Sequence, residues 1–175
     1  MKNNIALTAE KQGRIKSECH LGIAIERKIQ DMSSGLKPEY FRLYYTISED
    51  NILTLGNYIQ ALRIEVNPSD HYRRDVIKLM CTFSQYNNSH RFSTMSRDDI
   101  ISFLESYRRS EVSDPMHRWI GTYNQYRIHL IRFFKWLYYP ALEPKKRPKP
   151  DVIQNIPQLK RKEQSIYKPT DMWTV

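Results

Sequence analysis

Cysteine is nearly absent from the 175-residue chain, which holds only Cys19 and Cys81. A disulfide scaffold is not needed at this length, since such a domain buries roughly two thirds of its unfolded surface through a core alone. Cys81 falls in the apolar run VIKLMCTF, where a small buried thiol is the favoured reading. Glycine is equally sparse, and its five residues, Gly13, Gly22, Gly35, Gly56 and Gly121, are scattered singly, so no Gly-rich phosphate loop exists. Also missing is any apolar run approaching the roughly 18 residues that span a bilayer, and the N-terminus lacks the apolar core of a secretory signal. These absences point to an intracellular protein without a membrane partner. No CxxC or HxxxH spacing occurs among the dispersed His20, His71, His90, His117 and His129, so neither metal nor other cofactor is expected. Acidic residues are in deficit: 19 Asp and Glu face 28 Lys and Arg, a formal charge of +9 that suits a phosphate-rich partner.

Four helices are expected between residues 48 and 140. Ile52, Leu55, Ile59, Leu62 and Val66 recur at spacings of three and four behind Ser48, a candidate N-cap. Asn67 or Ser69 caps the second helix, whose core face is Tyr72, Val76, Leu79, Met80 and Phe83, with Arg73, Arg74 and Lys78 pointing elsewhere. Ser96 and Asp99 have capping-box spacing, with Ile100, Phe103, Leu104 and Tyr107 as the buried side of a short third helix. Ser113-Asp114-Pro115 opens the fourth and longest, which runs to Pro140 with a broad aromatic arc from Trp119 to Tyr138. Its opposite arc collects Arg118, Gln125, His129 and Arg132, with Asn124 and Lys135 at the edge and Trp136 as an apolar intruder.

Residues 1–47 are less legible, with a possible helix over 8–32 whose isoleucines fit no clean period. Beyond Pro140 come five of the nine prolines and the clusters Lys145-Lys146-Arg147 and Lys160-Arg161-Lys162. An extended basic linker is expected there, not a packed element.

Catalytic constellations are weak. His129 and Arg132 share a helix face and can jointly hold a phosphate, yet Tyr138 and Tyr139 are fixed more than a turn away. Asp98-Asp99 and Glu49-Asp50 fall at helix N-termini, where acidic residues complement the dipole. No catalytic residue is therefore assigned. The expected phosphate contacts are Arg73, Arg74, Lys78, Arg118, Arg132, Lys135, Lys145, Lys146 and Arg147, and Gln125 and His129 can reach base edges.

Three helical stretches, NPSDHYRRDVIKLMCTFSQYN, MSRDDIISFLESYRR and DPMHRWIGTYNQYRIHLIRFFKWLYYP, precede the tail KRPKPDVIQNIPQLKRKEQSIYKPTDMWT. Together, over about residues 48–174, they resemble the core-binding domain of tyrosine recombinases of the archaeal integrase type. The resemblance implies an all-α, four-helix SAM-like bundle whose second and fourth helices face the DNA, with a basic Pro-rich C-terminal linker towards a catalytic lobe. It implies double-stranded DNA and other integrase protomers as partners, no small-molecule substrate, and a role in integration and recombination. That lobe's two arginines, lysine, His-x-x-Arg and nucleophilic tyrosine have no room after Pro140, so this chain is expected to bind DNA without cutting it. Two other readings are a regulator that competes or pairs with an intact integrase, and a fragment of a complete recombinase.

Overall fold

The computed structural model describes residues 22–32 and 34–160, and among them the chain forms five α-helices and no strand. Helix α1 covers 22–32 and turns Ile25, Ile29 and Met32, spaced four and three apart, into the core. A tight turn at Gly35 follows, with φ of +80°, a conformation that L side chains rarely adopt. The 3-10 helix Pro38–Thr46 then packs on the third helix and buries Tyr44.

Helix α2 is Glu49–Glu65, with Ser48 extended at its N-cap position and Glu49 and Asp50 in the first turn. The expected stripe Ile52, Leu55, Ile59 and Leu62 is buried, whereas Val66 lies past the helix end and is exposed. Asn51 and Tyr58 join the buried face. Asn51 ties three segments together: its Nδ2 donates to Ser84 Oγ and to the His90 carbonyl, both at 2.8 Å, and its Oδ1 accepts from Phe92 N at 3.0 Å.

Helix α3, Asp70–Tyr86, starts at Ser69, whose hydroxyl accepts from Tyr72 N at 3.3 Å. Its buried face is wide: Val76, Ile77, Leu79, Met80, Cys81 and Phe83, and also Arg73. Helix α4, Arg97–Glu105, carries the Ser96/Asp99 capping box in full. Helix α5, Trp119–Tyr138, begins four residues later than its sequence suggests. Asp114 is the reason: its Oδ2 accepts from Trp119 N at 3.0 Å, while His117 takes φ of +48° and breaks the run from Pro115. An edge-to-face aromatic network joins the helices, with Phe133 against Tyr58 and Phe92, and Phe83 against Phe103, all at 5.0 Å between centroids. Trp136 belongs to it, 5.1 Å from Tyr58 and 8% exposed, so it lies in the core and not on the solvent arc.

The segment after Pro140 also departs from expectation. As far as Lys160 it is packed, not an extended linker: Val152, Ile153 and Ile156 are buried, and the 3-10 helix Asp151–Ile153 lies on α4 and α5. Its backbone is held from outside. Arg97 donates to the Gln154 and Asn155 carbonyls at 2.9 and 3.0 Å, Arg127 to the Ile156 carbonyl at 2.9 Å, and Asn124 pairs both ways with the Leu159 backbone. One hydrophobic core therefore runs from Ile25 to Ile156. Arg161 and Lys162 of the second basic cluster lie outside the described residues, as does the N-terminal part of the 8–32 expectation.

Candidate nucleic-acid interface

Helix α5 exposes one long arc because its other sides are covered by α2, α4 and the 151–153 turn. Three depressions have α5 residues in their walls, and the first two share Tyr107 and Thr122. At the N-terminal end, about 480 Å³ is lined by Tyr107, Arg109, Ser113, Asp114, Arg118, Trp119 and Thr122. In the middle, a groove of about 430 Å³ lies between α3 and α5, where Asp75, Lys78, Leu79 and Thr82 face Tyr107, Thr122, Gln125 and Tyr126. Lys78 and Gln125, expected on different helices, thus share one groove. Near the C-terminal end, about 340 Å³ is bounded by Arg132, Lys135 and Lys145.

Charge along this arc is only partly neutralised. None of Lys78, Arg118, Arg132, Lys135 and Lys145 is in an ion pair among the described residues. Arg118 reaches only the Met116 sulfur, at 3.5 Å. Arg74 is half-buried and pairs with its neighbour Asp75 at 3.0 Å, and Lys146 pairs with Glu143 at 3.0 Å in full exposure. An exposed pair such as Lys146–Glu143 contributes little to stability and opens easily to another anion.

Two expected contacts are corrected. Arg73 is 5% exposed and is spent inside the protein, donating to Asp70 at 2.8 Å and to the Ser34 carbonyl. Arg147 is also 5% exposed: its guanidinium forks onto the Glu65 carboxylate and donates to the Tyr139 carbonyl at 3.1 Å. Both lie within the fold, where DNA does not reach. Arg109 was not singled out from sequence; the Arg108-Arg109 doublet, which lies just past the end of α4, was the available signal.

The His-x-x-Arg pair converges, but on an unexpected residue. His129 packs at a tilt against the Tyr72 ring, 5.2 Å between centroids, while Arg132 lies 6.0 Å over that ring and donates to its hydroxyl. His129 is half-buried and its Nδ1 has no hydrogen-bond partner. Burial lowers its pKa below the usual imidazole value, the Arg132 charge adds to that, and Asp75 opposes it. At neutral pH the ring is therefore neutral, available as an acceptor or donor and not as a fixed cation.

Nucleophiles and metal ligands do not gather here. Burial pushes the Cys81 thiol up to about 12, as expected of an inert core cysteine. No group of three His, Cys, Asp or Glu among the described residues is arranged to hold a metal ion, and no helix among them is long and apolar enough to cross a membrane. No family model, curated protein or solved structure matches the chain.

Proposed function

We propose that this protein is a DNA-binding module of the tyrosine recombinase type, a SAM-like core-binding lobe that grips one side of a duplex for integration or recombination. In this reading a separate catalytic lobe cuts the strand, and this chain positions it. The family assignment rests on the sequence resemblance. The binding assignment is supported chiefly by one observation: five cations free of ion pairs among the described residues, Lys78, Arg118, Arg132, Lys135 and Lys145, line the depressions along α5 and its groove with α3.

Helix α5 is 20 residues long, about 30 Å, which spans close to one turn of B-DNA and lets cations at its two ends meet separate phosphates. Arg118 and Arg132 supply bidentate phosphate contacts, and Lys78, Lys135 and Lys145 supply point charges. Gln125 stands midway, where an amide can read an adenine edge in the major groove. His129, neutral and partly covered, is suited to a single hydrogen bond to a base or a phosphate oxygen. Positioning is thus expected to dominate, with modest sequence preference.

Fluorescence anisotropy with a labelled duplex tests the proposal. Binding should be measurable at low salt, and Arg118→Ala and Arg132→Ala should each weaken it. Absence of binding at low salt, or affinity indifferent to salt, would overturn the reading.

A further inference from the structure

The depression at the C-terminal end of α5 differs from the other two. Its lining is mainly apolar, with Leu62 and Val66 from the end of α2 and Ile128 and Ile131 from α5. Cations border it: Arg132, Lys135 and Lys145 are free of ion pairs, and only the Glu65–Arg147 pair in its wall is internally neutral. Tyr58 also lines it, is 1% exposed, and keeps a hydroxyl with no hydrogen-bond partner. A buried hydroxyl left unpaired is costly, so a fold retains one chiefly where something else can satisfy it. Burial, and secondarily the neighbouring Tyr72, raise that phenol's pKa, so it stays a protonated donor.

We propose that this depression binds a small amphipathic organic anion, an apolar body carrying one carboxylate or phosphate head. The apolar body rests on Leu62, Val66, Ile128 and Ile131, and the head meets Lys135, Lys145 and Arg132. An oxygen of the head, or a polar atom beside it, offers the Tyr58 hydroxyl the acceptor it lacks. The volume of about 340 Å³ lies at the small end of the range for ligand sites, enough for a body of about ten carbons and too small for a folded partner. Charge complementarity excludes cationic ligands, and the apolar floor gives a bare inorganic anion little to hold. The proposal needs no DNA and stands or falls separately from the function above.

Decanoate is a suitable probe, titrated into the ¹⁵N-labelled full chain and followed by amide chemical shifts. One saturable site is expected, with shifts centred on residues 128–135 and 144–145. Acetate, with the head alone, and decyltrimethylammonium, with the body and the opposite charge, should leave those residues unmoved. The double variant Lys135→Ala, Lys145→Ala should raise Kd about tenfold or more. Ile128→Glu, at an exposed position where folding is retained, should abolish binding, and Tyr58→Phe should weaken it at unchanged shift pattern. Equal response to all three probes, shifts spread over the surface without saturation, or a Kd unchanged by the lysine variants would overturn the proposal.

Discussion

Removing the Arg147 guanidinium would leave the Glu65 carboxylate, whose side chain is 21% exposed, without the two-pronged partner that justifies its burial. Arg147→Met is therefore expected to destabilise the fold by about 2–3 kcal/mol, read as a lower urea midpoint at unchanged slope. Arg91→Ala breaks a pair with Asp50 that is more than half exposed on both sides, and should cost under about 1 kcal/mol. His129 gives a second residue-level effect. Its folded pKa is depressed, so the unfolded chain binds the proton more readily, and stability is fully present above the unfolded value near 6.5 and is lost as pH falls below it. Urea melts should thus lose stability as pH falls below about 6.5, and His129→Gln should flatten that slope; an unchanged slope would assign it to other groups. Neither burial was legible in the residue type. Arg73 and Arg147 look like any other cations until the acceptors that consume them, Asp70, the Ser34 carbonyl and Glu65, are brought near by folding.

Elements whose ends are decided by adjacent residues were the readable ones. Ser69 and the Ser96/Asp99 box cap α3 and α4 as their spacing implies, because a cap is chemistry within four residues. The start of α5 was displaced because Asp114 reaches five residues forward to Trp119 N across a turn containing His117 at positive φ. Trp136 was misjudged for a related reason: α5 is covered on more than one side, and a helix surrounded in this way buries residues that a two-faced projection assigns to solvent. The packing of the described segment 141–160 was hidden altogether, since proline-rich composition reports no periodicity and the bonds holding its 154–159 backbone come from Arg97, Asn124 and Arg127, 29 to 58 residues away. That anchoring is testable on its own. Asn124→Ala removes both bonds to the Leu159 backbone, so amide exchange at Leu159 should accelerate severalfold while the amides of α3 keep their protection. Acceleration throughout the protein would mean that the tail supports the whole core and is not a locally held strap.

At the scale of the molecule, net charge was visible from composition, but its distribution was not. Of the basic residues expected at a phosphate surface, Arg73 and Arg147 are internal, Arg74 and Lys146 are paired, and Lys78, Arg118, Arg132, Lys135 and Lys145 remain unpaired. Counterion release turns this division into a number. If those five each neutralise one phosphate, log K against log salt should have a slope of about −4.5, from five contacts at about 0.9 each. Arg118→Ala or Arg132→Ala should reduce the magnitude of the slope by about one, and their double variant by about two. Arg63→Ala, in a depression between α1 and α2, should leave it unchanged. The decisive comparison is between residues of the same charge at different places: equal slope changes at Arg63 and Arg132 would show that the protein attracts DNA by net charge alone. A loss confined to the α5 arc requires a docked orientation, because only a fixed pose lets one set of cations displace counterions while another set of equal charge does not.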